Sequence, residues 1–83
     1  MWPEWWEWRL SFTGHAERRM EERGVSEIEV RAMLQHASGH SPSIVAGRFM
    51  IETRHSGRPW IVVVEPDLDQ QVLAVVTVYG VER

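Results

Sequence analysis

The segment "RFMIETRHSGRPWIVVVE", residues 48–65, constrains this chain more than any other stretch. Both halves have the length and β-branched or aromatic content of strands, and Ser56-Gly57 between them suits a two-residue hairpin turn. With those two residues as the turn, the register follows. Phe49 pairs with Val64, Ile51 with Val62 and Thr53 with Trp60 on one face, while Arg48 meets Glu65 on the other. A "PDLD" turn and "QQVLAVVTVY" then extend the hairpin into a three-stranded antiparallel β-meander over 48–79.

Two helices precede the meander. Thr13 stands before "GHAERRMEER" as an N-cap and Gly24 follows it as the left-handed residue that ends a helix, which sets helix one at about 14–23. Ser26 and Glu29 form a capping box for the next helix, and Val25 and Val30 are spaced for a hydrophobic staple. Ile28, Ala32 and Leu34 to Ala37 give helix two its apolar stripe, which ends at "SGHSP". The helical hairpin therefore spans 14–37. Ahead of it, "WWEWRLSF", residues 5–12, alternates as a strand, with Trp6, Trp8, Leu10 and Phe12 on one side. The order β-α-α-β-β-β predicts an α+β fold, helices on one side of an antiparallel sheet. The 83 residues read as a single domain, 1–83.

Composition limits the function classes. Cysteine is absent, which removes disulfides, thiolate metal sites and a cysteine nucleophile. "MWPEWWEW" lacks the pattern of a signal peptide, and "WIVVV" and "VLAVV" are too short to span a bilayer, so a soluble cytoplasmic protein is expected, with no membrane partner. The net charge of −3 argues against coating nucleic acid by bulk electrostatics, but leaves room for a local basic site. His36 and His40 have the spacing of zinc ligands, yet Gly39 and Pro42 break the helix there, so no metal is assigned. No cofactor is implied.

The chemistry-bearing stretch is "FTGHAERRMEERGV", residues 12–25. His15, Arg19 and Arg23 recur every four residues and so form one shallow stripe on helix one. His15 lies in the first turn, where unpaired backbone amides draw anions, which makes it a candidate base beside the candidate phosphate ligand Arg19. A solvated charged face is the plain alternative, since Arg18 and Arg19 can both pair with Glu22. Ala16 and Met20 are the only apolar stripe of this helix, which predicts that His15 and Arg19 are pressed toward the sheet. Arg54, His55 and Arg58 cluster at the hairpin tip, and Thr77 and Tyr79 end the last strand, all candidates for the same groove. A phenol such as Tyr79 can protonate a leaving oxygen. Trp2 and Trp5 exceed what one core face needs and read as a partner-binding edge.

His15-Ala16, Arg19-Met20, Arg23-Gly24-Val25 and the closing Val76-Thr77-Val78-Tyr79 resemble a bacterial family of small domains of unknown function with the signature HAxxRMxxRG(I/V) and a meander ending in TVY. The resemblance covers about residues 12–80. Such domains are similar to RelE- and BrnT-type toxins, compact ribonucleases of RelE- or barnase-like fold that act without metal and are neutralised by an antitoxin. The resemblance implies the toxin component of a toxin–antitoxin system: a metal-independent endoribonuclease with His15, Arg19 and Tyr79 as catalytic residues. Arg23 is the next position of the motif and would bind the substrate, together with the groove candidates Arg54, His55, Arg58 and Thr77 read from the strands themselves. An antitoxin protein and RNA are the implied partners. The alternative is a non-catalytic interaction module, either an inactive toxin relative or a homodimer joined through the Trp-rich edge strand. DNA binding by the helical hairpin is disfavoured, because helix two carries one arginine.

Overall fold

In the computed structural model, which describes residues 2–81, capping decides where the helices begin and end. The Thr13 hydroxyl accepts from the backbone N–H of Ala16 at 3.0 Å and starts α1, Gly14–Arg23. Gly24, at φ 67°, ends it, a conformation open to glycine because it lacks a Cβ. Ser26 and Glu29 exchange both bonds of a capping box and start α2, Glu27–Gln35, and Val25 and Val30 are both buried at the hinge. His36 caps α2, so the helical hairpin closes two residues earlier than the apolar stripe suggests.

The strands are β1 Arg9–Phe12, β2 Gly39–Pro42, β3 Phe49–His55, β4 Arg58–Asp67 and β5 Val72–Gly80, in the order β1-β5-β4-β3-β2. The α+β class stands, and β3 and β4 pair in the expected register from Phe49↔Val64 to His55↔Arg58. Ser56 and Gly57 both take positive φ, 53° and 76°, the requirement of a type I′ turn. Arg48 Nε reaches Glu65 Oε1 at 2.8 Å across the same pair. An extra residue, Val76, sits opposite the step from Val63 to Val64, so Val62 pairs with Val78 but Val64 with Val75.

Three features of the sheet differ from the sequence reading. First, the strand expected over 5–12 is confined to Arg9–Phe12, and Glu4–Glu7 coil into a 3₁₀ turn closed by Trp6 N–H to the Pro3 carbonyl at 3.0 Å. A helical turn brings Trp2, Trp5 and Trp6 to one side, so they pack on one another and on the sheet, which an extended chain would not allow. Second, β1 pairs with β5 in parallel, so the sheet is mixed rather than antiparallel. The intervening helices and strands make a connection long enough to permit that direction. Third, β2 is an added edge strand paired antiparallel to β3. Its sequence "GHSP" has poor strand propensity, and Pro42 is tolerated because the outer edge needs no partner.

Both helices and the leader cover one face of the sheet. Ile51, Val62, Val64, Leu73, Val75 and Val78 point into a core with Ala16, Met20, Val30, Met33 and Leu34, and Trp2, Trp5, Trp6 and Trp8 pack against its margin. Buried Thr53 donates its hydroxyl to the Met33 carbonyl, satisfying an acceptor at the end of α2. Strand alternation turns Ile61, Val63, Thr77 and Tyr79 to the opposite, helix-free face. Among the described residues no helix is long and apolar enough to cross a membrane.

Candidate functional site

The hairpin turn, the hinge between the helices and the end of β5 meet at one end of the sheet. Arg23 on the last turn of α1 and Arg58 at the start of β4 line a cleft of about 380 Å³, with Pro59, Trp60, Gly80 and Val81 completing it. A Cβ at Gly80 would stand 3.5 Å from the Trp60 ring, so a longer side chain there would lie against the indole; glycine leaves that part uncovered. His55 meets Trp60 edge to face, with ring centroids 5.5 Å apart and planes at 88°. The β-turn residues explain this convergence, because the His55↔Arg58 pair is the last rung before the turn and Trp60 is two residues on.

Glu29 ties this end together. Its Oε1 accepts from the Ser26 backbone N–H at 2.9 Å, and its Oε2 lies 3.5 Å from His55 Nε2. The Ser26 backbone and hydroxyl hydrogen bonds, followed by the charge of His55, hold the Glu29 carboxyl below its ordinary value of 4.5. The carboxylate is thus ionised at neutral pH and pairs with His55 whenever the imidazole is protonated.

The residues expected to form one groove are divided. Arg23, His55 and Arg58 come together around Trp60. Arg54 lies on the hairpin beside them, but its Nη2 donates to the Gly57 carbonyl at 2.7 Å and so braces the turn. His15 is exposed on the first turn of α1, where it was expected against the sheet, while Arg19 is half-buried and bonds Glu22 at 2.9 Å. Ala16 and Met20, both buried, suffice to seat a helix of this length, and His15 beside them remains in solvent. Tyr79 and Thr77 face away from the helices, on the side of the sheet opposite α1. A β-bulge that displaces the strand by one residue is not legible in "VLAVVTVY", and register decides the face. Trp2 stacks on Trp6 with centroids 4.4 Å apart, and Trp5 lies 4.9 Å from Phe49, so both indoles are partly buried rather than presented at an edge.

Sequence reasoning missed Trp60 and Glu29 as members of the site. The signal for Trp60 was available, since its pairing with Thr53 puts it beside His55 on the helix side. Glu29 carried no such signal, because its cap fully accounts for it within its own helix.

A family model described as Domain of unknown function (DUF4258) matches residues 12–80. The chain belongs to this family. No curated protein and no solved structure matches it. The DUF4258 segment contains every residue of the Arg23 and Arg58 cleft except Val81, whereas the tryptophan leader and most of β1 lie outside it.

Proposed function

We propose that this DUF4258 chain binds single-stranded RNA at the Arg23 and Arg58 cleft and cuts its backbone without a metal ion, as the toxin component of a toxin–antitoxin pair. The observation that carries the reading is the convergence of two guanidinium groups, an indole and a carboxylate-paired imidazole at one end of the sheet. Guanidinium forks suit phosphate oxygens, and an aromatic face offers a sequence-tolerant stacking platform worth ~1–3 kcal/mol per base. The likeness of "HAERRMEERGV" and "TVY" to RelE- and BrnT-type toxins supports the toxin assignment.

In this reading His55 replaces His15 as the base. It takes the proton of a 2′-hydroxyl, the freed oxygen attacks the adjacent phosphorus, and the bond to the 5′-oxygen breaks. One fragment keeps a 2′,3′-cyclic phosphate, and solvent protonates the departing 5′-oxygen of the other. Arg23 and Arg58 hold the phosphate as its charge grows, and Glu29 steadies the imidazolium. Arg19 and His15 continue the stripe from Arg23 along α1, where they lie in the path of a longer strand.

The test is cleavage of a labelled single-stranded RNA in chelator, with growth arrest on induction and its relief by the neighbouring gene product as the cellular readout. His55→Ala should lower the cleavage rate about 10²- to 10⁴-fold with RNA still bound. Arg58→Ala should weaken binding and reduce its salt dependence by about one phosphate contact. Wild-type protein that neither binds nor cuts RNA refutes the reading. A second reading, a non-catalytic module, draws on the His55 and Glu29 pair as a tie between hairpin and α2. It predicts that His55→Ala lowers the melting temperature and changes no activity.

A further inference from the structure

A second groove, of about 240 Å³, opens at the opposite end of β5. Trp8 of the leader, Leu10 of β1, Leu34 of α2 and Leu73 of β5 form its apolar wall, and Arg31 stands at its rim. Leu73 and Gly80, which belong to the two sites, are about 24 Å apart at the rise of an antiparallel strand. The volume falls below the ~300–1,000 Å³ of small-molecule sites and suits one or two side chains. Among the residues lining it, Arg31 alone is charged. That guanidinium is held by Glu27 at 3.0 Å in an exposed one-turn pair, with its carbon 5.6 Å from the centre of the Phe12 ring. Such a pair is weak enough for a second carboxylate to join or displace it. The groove therefore selects an apolar anchor followed by an anion.

The chain carries that anchor. Leu68, on the turn between β4 and β5, is 74% exposed. The turn is fixed by Asp67, whose Oδ1 accepts from the backbone N–H groups of Asp69 and Gln70 at 3.1 Å each, so Leu68 is presented on a preorganised loop. Asp69 follows it with an exposed carboxylate. In the strand order β1-β5-β4, the turn leaves the sheet at the same end as the groove and one strand away from it. Each copy thus offers both an anchor and a groove at one end, which is what an isologous twofold contact requires, and such a contact closes on itself instead of propagating.

We propose that this chain pairs with a second copy of itself, each Leu68 entering the other's Trp8, Leu10, Leu34 and Leu73 groove and each Asp69 meeting the other's Arg31. The groove walls supplied by Trp8 and Leu10 lie outside the family segment 12–80, so the pairing is a property of this chain's leader. A nucleic acid is a poor occupant, because Asp67 and Asp69 repel phosphates at this end. The contact is remote from the Arg23 and Arg58 cleft and does not depend on RNA cleavage.

Sedimentation equilibrium of the full chain across micromolar to submillimolar concentration tests it. A monomer–dimer equilibrium is expected, and Leu68→Asp, Asp69→Arg and Arg31→Glu should each raise the dissociation constant about tenfold or more. Combining Arg31→Glu with Asp69→Arg should restore most of the affinity. Far-UV circular dichroism and melting check folding, and Leu68→Asp, on an exposed turn, keeps the test decisive even if Arg31→Glu weakens α2. A chain that is monomeric throughout, a dimer indifferent to Leu68→Asp and Asp69→Arg, or a charge exchange between folded variants that restores nothing overturns the proposal.

Discussion

Trp5→Ala separates a leader that belongs to the core from one that is free to meet a partner. The Trp5 ring lies 4.9 Å from Phe49, 6.2 Å from Trp6 and 6.4 Å from His40, and it packs on the margin of the buried cluster. Truncating a fully buried tryptophan to alanine costs ~3–5 kcal/mol, and an aromatic pair contributes ~1 kcal/mol beyond its area. Because Trp5 is only partly buried, the expected loss is about 2–3 kcal/mol. For a chain of this size, 1 kcal/mol moves the melting temperature by about 4–8 °C, so the variant should melt roughly 10–20 °C lower. Urea unfolding followed by far-UV circular dichroism gives the free energy, and calorimetry gives the midpoint. A loss below about 0.5 kcal/mol, the range of ordinary surface substitutions, would refute the packing argument and return Trp5 to the role of an interface residue.

Other substitutions probe the cap, the core and the stripe. Glu29 has a folded value below its ordinary 4.5, so its contribution is complete above that value and is lost as pH falls through the lower folded one. The melting temperature of wild type relative to Glu29→Gln should therefore be constant at neutral pH and converge in acid, and a gap that widens in acid contradicts the assignment. Thr53→Val removes the buried bond to the Met33 carbonyl and should cost about 0.5–1.5 kcal/mol in urea unfolding, unless His36 N–H, which already donates to that carbonyl at 3.2 Å, compensates in full. His15→Ala should change stability by less than about 0.5 kcal/mol, since the side chain is exposed and makes no hydrogen bond among the described residues. A large drop in its melting temperature would mean that His15 anchors the helix after all.

Much of the site was legible only as separate pieces. Arg23, His55 and Arg58 stood out as charged residues near turns, and the hairpin register joined the last two, because pairing across a two-residue turn is a local geometric consequence. Bringing Arg23 to them needed the packing of α1 along β5, which no local pattern encodes. For His15 and Arg19 the limit is a different one. Helical periodicity correctly put them on one stripe with Arg23, but periodicity does not say how far that stripe is rotated from the sheet. The bulge at Val76 and the alternation of strand faces turn Tyr79 away from the helices.

By itself the sequence determined both helices with their caps, the β3–β4 hairpin down to the Arg48 and Glu65 pair, and the α+β class. These rest on interactions within a few residues or across one tight turn, where residue type and spacing leave little freedom. Only the tertiary structure decided that β1 runs parallel to β5, that "GHSP" is a strand, that the leader coils to bury its indoles, and that Glu29 reaches His55. Each of those depends on contacts between segments distant in the chain. Burial of apolar surface there overrides weak local preference, and the solvent-facing side chains go where that packing leaves them.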